Sequence, residues 1–197
     1  MKGCRPLTDD EIERIKKYFN ERKDKFALRD FTLFFFALHT GFRISELLSV
    51  RVQDIYRYNR VIEEVYLKRM NTKGKHEGRR MLLNEKIRFI LTQYITQYDL
   101  DKKGDDVFLF PNPSLTFPIS TRHARRIFEH AYVSCELTGK LSCHTTRKTF
   151  AQKISVLCDR NIVDVQQALG HRNITSTTSY IDFSREKVDS ALTDITF

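Results

Sequence analysis

The chain has 197 residues, 41% of them hydrophobic and 30% charged, with a formal net charge of +9 at pH 7. That length allows one domain or two small ones around a core that needs no disulfide or metal staple. The composition excludes an intrinsically disordered chain, and the excess of Lys and Arg points to an anionic partner, nucleic acid being the commonest. Residues 31–42 form the longest apolar stretch, but Thr32, His39, Thr40 and Gly41 interrupt it, so a membrane span is excluded. Met1-Lys2-Gly3-Cys4-Arg5-Pro6 carries no apolar segment, so no export signal is expected. Cys4, Cys135, Cys143 and Cys158 are widely spaced and make no C-x-x-C pair. Neither a zinc site nor a disulfide framework is therefore expected, and the thiols should be reduced, as in the cytoplasm.

Thr8 and Glu11 form a capping-box pattern, and Ile12, Ile15, Tyr18 and Phe19 follow at helical spacing, which predicts a helix over 9–21. Residues 27–39 read as a buried helix stopped by Thr40-Gly41, and a short helix is expected over 44–48. Residues 61–69 and 79–83 read as two strands joined by the polar, basic, glycine-punctuated segment 70–78. Helices are expected over 85–98, 120–134, 144–158, 162–169 and 175–181, with a loop at 99–106, a short extended piece at 107–110 and a proline-marked loop after it. The class is α+β, mostly α, with a small antiparallel sheet.

Four places carry side chains suited to chemistry. Gly41-Phe42-Arg43-Ile44-Ser45-Glu46-Leu47 puts an arginine at a helix start after a glycine turn. Cys143-His144-Thr145-Thr146-Arg147 puts His and Arg three apart on one helix face. Leu169-Gly170-His171 ends a helix, and Tyr180 follows nine residues later among small polar residues. Taken singly, each has a plain structural explanation. Arg43 can pair with Glu46 on a helix surface, His144 can cap a helix, His171 can sit at a helix C-terminus favoured by the macrodipole, and most tyrosines only pack.

Taken together and in order, these motifs resemble those of the tyrosine recombinase (phage integrase) family, from about residue 7 to residue 183. The segment 41–47 is similar to the family's first arginine motif, His144-Thr145-Thr146-Arg147 to its second, and Leu169-Gly170-His171 and Tyr180 to its last two. The resemblance implies a tyrosine-recombinase-like catalytic domain over 1–183, with residues 184–197 as a tail that docks on a neighbouring subunit through Val188, Ala191, Leu192 and Ile195, or else packs on its own domain. It also implies a lysine on the hairpin. Lys68, Lys73 and Lys75 compete for that place, and Thr72-Lys73-Gly74 looks most like the family pattern. The chain departs from many members at Lys148, where they have a second His, and at Thr146, where they have Leu. Most members also carry an N-terminal helical domain that completes a clamp on DNA. Here the catalytic-type residues begin at once, as in a fragment or in short stand-alone members such as the fimbrial-switch invertases.

The implied activity is site-specific recombination or integration through a 3′-phosphotyrosyl intermediate, without ATP, metal or other cofactor. Tyr180 is the expected nucleophile. Arg43 and Arg147 are the expected clamp on the phosphate, because each guanidinium is a permanently charged planar fork of donors. A phenol needs help to lose its proton, so His144 is the expected general base, with Lys73 the general acid for the leaving 5′-oxygen, His171 a phosphate donor and Glu46 an orienting group. Arg122, Arg125, Arg126, Lys140, Lys148 and Lys75 are candidate phosphate contacts, each otherwise a solvated basic group. The partner implied is double-stranded DNA, with a monomer in solution, a tetramer on paired sites, no membrane, and a cytoplasmic place on the nucleoid if the source is prokaryotic. A type IB topoisomerase, an inactive DNA-binding regulator and a generic basic helical protein are the rival readings.

Overall fold

The computed structural model describes residues 3–67, 78–104, 106–178 and 193. Thr8 opens the first helix as the spacing predicts. Its hydroxyl accepts from the Glu11 amide at 3.3 Å while the Glu11 carboxylate accepts from the Thr8 amide at 2.9 Å. The helix α1 runs over Asp9–Glu21, and Ile15 and Phe19 face the core. Its successor α2, Ala27–Thr40, is the hub and packs against α1 and two later helices. Leu33, Phe34, Phe36 and Ala37 are fully enclosed there. The Phe34 ring meets those of Phe19, Phe128 and Tyr132 at centroid separations of 5.7, 5.0 and 6.0 Å, within the range of favourable edge and tilted aromatic pairs. The charged pair at the start of α2 is also buried, and it is satisfied: Asp30 accepts from Arg29 at 2.7 Å and from Arg22 at 3.0 Å.

After α3, Ile44–Leu48, the structure adds elements the periodicity does not show. A one-turn helix α4 covers Val52–Ile55, and β1, Tyr56–Arg57, pairs antiparallel with β2, Arg60–Val61. The two residues between these strands, Tyr58 and Asn59, both have positive φ, 54° and 58°. That is the type I′ geometry that suits the twist of a two-residue hairpin. The expected hairpin is present, although its first strand starts three residues later than its hydrophobic pattern: among the described residues β3 is Glu64–Leu67 and β4 is Arg79–Leu82, paired from Glu64↔Leu82 to Leu67↔Arg79. Residues 68–77, with Lys68, Lys73 and Lys75, lie outside the described residues.

Helix α5, Glu85–Gln97, begins at an Asn84 cap, and a 3-10 turn at Leu100–Lys102 falls inside the expected loop. Helix α6 is Thr121–Ser134, capped by Ser120. Helix α7 is His144–Leu157, followed by α8, Ile162–Leu169, and α9, Thr175–Thr178. The chain divides into two compact units, residues 1–150 and 151–197, with the division falling inside α7. Among the described residues no helix is long and apolar enough to cross a membrane, and no group of three or more His, Cys, Asp or Glu could hold a metal.

Candidate active site

The first unit gathers three of its arginines around one turn, residues 40–43. Gly41 ends α2 in the left-handed region at φ 59°, and its amide donates to the Ala37 carbonyl at 3.0 Å. Only glycine reaches that conformation without strain, and a side chain there would also be blocked. A Cβ on Gly41 would stand 2.7 Å from Cγ and 3.0 Å from Cε1 of the buried Phe150 ring. The glycine therefore lets the turn lie directly on α7.

Arg43 then starts α3. Its amide donates to Glu46 Oε2 at 2.8 Å, and its guanidinium Nη1 donates to Oε1 of the same carboxylate at 2.6 Å. Glu46 is 2% exposed. A buried carboxylate needs a cation and hydrogen bonds, and Arg43 supplies both. The pairing that explains these residues as a simple surface ion pair is thus present, but in a buried form. It orients a guanidinium that stays partly open to solvent.

Arg147 reaches the same turn from α7. It is 1% exposed, and its Nη1 donates to the Gly41 carbonyl. His144, one helical turn earlier, is exposed, and its amide donates to the Ser142 hydroxyl at 3.2 Å. The start of α7 is held by reciprocal bonds between Ser142 and Thr145, at 3.0 and 3.1 Å. Thr146, where many members of the family have Leu, is buried with its hydroxyl donated to the Cys143 carbonyl at 3.1 Å, so the polar residue is tolerated in a packed position. Thr149 donates to the Thr145 carbonyl at 2.8 Å and accepts from the Leu7 amide at 2.8 Å, tying the N-terminal strap to this helix.

One participant is absent from the sequence-level candidates. Arg79, the first residue of β4, donates through Nη2 to the Thr40 carbonyl at 2.9 Å, and its guanidinium lies 4.5 Å from the centroid of the buried Phe42 ring. Its Nε is shut off from solvent. Burial, followed by the charges of Arg147 and Arg43, pushes its pKa down to about 9 against the opposing pull of Glu46. Three guanidiniums and one carboxylate therefore share one electrostatic neighbourhood.

In the second unit, Gly170 ends α8 at φ 61°, with its amide donating to the Gln167 carbonyl and the His171 amide to the Gln166 carbonyl, both at 3.0 Å. This Schellman pattern explains why Gly must precede His in the Leu169-Gly170-His171 motif. Gln166 Nε2 donates to the His171 carbonyl at 2.9 Å. The His171 ring is buried, with Nδ1 3.0 Å from the Thr177 hydroxyl, which orients the imidazole. Tyr180 and the tail 184–197 lie outside the described residues.

Arg122, Arg125 and Arg126 are exposed on α6, whose opposite face buries Ala124, Ile127, Phe128 and Ala131. Burial holds the Cys143 thiol, beside His144, above its ordinary pKa, against the opposing pull of the Arg125 charge. Lys140 is exposed and Lys148 half-buried.

Residues 5–187 match the model of the phage integrase family. The chain belongs to that family. The probable integrase/recombinase YoeC of Bacillus subtilis (strain 168) is 28% identical over 183 residues, which span 92% of this chain and 91% of that protein. The tyrosine recombinase XerH of Campylobacter jejuni is 26% identical over 184 residues, 91% of this chain but 49% of that protein. The chain thus spans nearly all of one curated relative and about half the length of the other. Among solved structures, XerH bound to difH substrate in a pre-cleavage complex superposes with a TM-score of 0.75 at 21% identity, over 96% of this chain and 54% of that one. That likeness shows the fold: this phage integrase family member is a mostly helical tyrosine-recombinase-type domain with small antiparallel sheets.

Proposed function

We propose that this protein is a tyrosine-type site-specific DNA recombinase or integrase that cuts and rejoins double-stranded DNA through a 3′-phosphotyrosyl intermediate on Tyr180. The observation that supports it most is the convergence of Arg43 and Arg147 on one turn, with Arg43 oriented by the buried Glu46, in a chain of the phage integrase family. Two guanidiniums so placed suit the non-bridging oxygens of a scissile phosphate, where negative charge builds in the transition state.

In this reading the Tyr180 phenol attacks phosphorus and gives its proton to His144. Arg43 and Arg147 stabilise the pentavalent phosphorane, His171 donates a hydrogen bond to it, and Lys73 protonates the departing 5′-oxygen. The ester keeps the bond energy, so the 5′-hydroxyl of a partner strand reverses the step without ATP. The catalytic domain spans 1–183. It acts as a monomer that assembles into a tetramer on paired sites, with the tail 184–197 docking on a neighbouring subunit. Arg122, Arg125, Arg126, Lys140, Lys148 and Lys75 contact phosphates beyond the scissile one, so affinity falls steeply with salt. Its place is the cytoplasm, on the nucleoid of a prokaryotic source.

The test is a nicked suicide duplex, cut from the DNA that flanks the coding sequence and first shown to bind. Wild type should give a denaturation-resistant protein–DNA band, and Tyr180→Phe should bind equally and give none. A wild type that binds and forms no such band overturns the reading.

A further inference from the structure

The turn that carries Arg43 is gripped from two sides. Arg147 donates to the Gly41 carbonyl from α7, and Arg79 donates to the Thr40 carbonyl from β4 at 2.9 Å. Arg79 is also laid against Phe42, the residue just before Arg43, at 4.5 Å. Phe42 is itself fixed, 2% exposed and 6.0 Å from the Phe36 ring. The residues of the turn thus have few directions left in which to move. Arg79 further belongs to the pair Leu67↔Arg79, the last described rung of the hairpin before residues 68–77.

On the strand-transfer reading above, we infer that Arg79 is a positioning residue, which clamps the 40–43 turn so that Arg43 meets the scissile phosphate in register and thereby sets the rate of strand cleavage. It works through the Thr40 carbonyl and the Phe42 face and leaves the phosphate to Arg43 and Arg147. Burial first, and then the charges of Arg147 and Arg43, weigh against a cation at this place and hold the pKa of Arg79 down. What the guanidinium offers in return is its set of contacts with the Thr40 carbonyl and the Phe42 ring. The benefit is geometric. A planar guanidinium can lie against a ring while its edge N–H groups donate to a carbonyl in a fixed geometry, which a compact ammonium on a flexible stem does not reproduce. Misplacing a reacting group by about 1 Å costs about 100-fold in rate.

The experiment is single-turnover cleavage of the suicide duplex at saturating protein. The amplitude reports the folded, competent fraction and the rate constant reports positioning. R79A should bind the duplex within about twofold of wild type and lower the rate constant by roughly 10- to 100-fold. R43A and R43A/R79A should have the same rate constant, because a clamp on Arg43 has nothing to act on once Arg43 is gone. R79K should fall below wild type and above R79A. It carries the test alone if R79A does not fold, and an R79K rate constant equal to wild type then overturns the proposal. So does an R79A variant that loses amplitude with an unchanged rate constant, or a double variant in which the two defects multiply. A wild type without adduct overturns the strand-transfer reading and the role of Arg79 with it. A wild type and R79A that cleave equally overturn the role of Arg79 alone.

Discussion

Gly41→Ala is the substitution on which the most of the structure converges. Two separable costs apply. An L-residue held at φ 59° carries the left-handed penalty, roughly 1–2 kcal/mol. The added methyl would stand 2.7 Å from Phe150 Cγ, and overpacking of that kind costs roughly 1–3 kcal/mol. Together they predict a loss of roughly 2–5 kcal/mol, or a fall in melting temperature of roughly 4–20 °C for a domain of this size. Urea or thermal unfolding followed by circular dichroism measures it. Pairing G41A with Phe150→Ala separates the terms. Without the ring, the cost of G41A should shrink to the backbone part, with a coupling of roughly 1–3 kcal/mol in the double-mutant cycle. Because the Gly41 carbonyl accepts from Arg147, relaxation of the turn should also slow single-turnover cleavage, by about 100-fold for a shift of about 1 Å. A G41A protein within about 0.5 kcal/mol of wild type, or an unchanged cost in the Phe150→Ala background, would refute the reasoning.

Glu46→Gln keeps an acceptor for the Arg43 amide but removes the charge that holds its guanidinium. Stability should fall by roughly 1–3 kcal/mol, and cleavage should slow by less than for Arg43→Ala, itself expected to lose about 100- to 1000-fold; both are read by melting and single-turnover kinetics. Thr177→Val removes the hydroxyl beside His171 Nδ1, which should cost roughly 1–3 kcal/mol in melting experiments and slow single-turnover cleavage, since the orientation of the imidazole is no longer fixed. Arg5 holds the Glu11 carboxyl below its ordinary pKa of 4.5, chiefly through their hydrogen bonds. A lowered folded-state pKa means the unfolded chain takes up the proton first as pH falls. The stabilisation is therefore complete above the unfolded carboxylate value and fades as pH drops through the lower folded one. Melting temperatures of wild type and Glu11→Gln should accordingly converge between about pH 5 and pH 2, and a constant gap would count against the pair.

The long helices were legible because their signals are local: the Thr8/Glu11 box for α1, the apolar run closed by Thr40-Gly41 for α2, and the Gly170 stop for α8. The short elements were not. Val52–Ile55 is a single turn, too short for a 3.6-residue period to repeat, and Tyr58 in the left-handed region gives no turn signal of its own. The motif arginines could be named from order and spacing. Arg79 could not, because an arginine beside a basic loop reads as one more solvated cation. Only the fold brings it to the carbonyl of Thr40, 39 residues away in sequence. Phe150 against Gly41 is hidden for the same reason. The spacing shows that a glycine turn precedes Arg43, but not the ring that makes glycine obligatory there.

The central claim is that Tyr180 is the residue that holds the DNA, and the most direct test identifies the bond itself. The adduct from the suicide duplex is digested with trypsin and nuclease, and the nucleotide-bearing peptide is sequenced by mass spectrometry. The account predicts a 3′-phosphate ester on Tyr180. An ester on another residue, or a linkage to the 5′ end of the DNA, would contradict it.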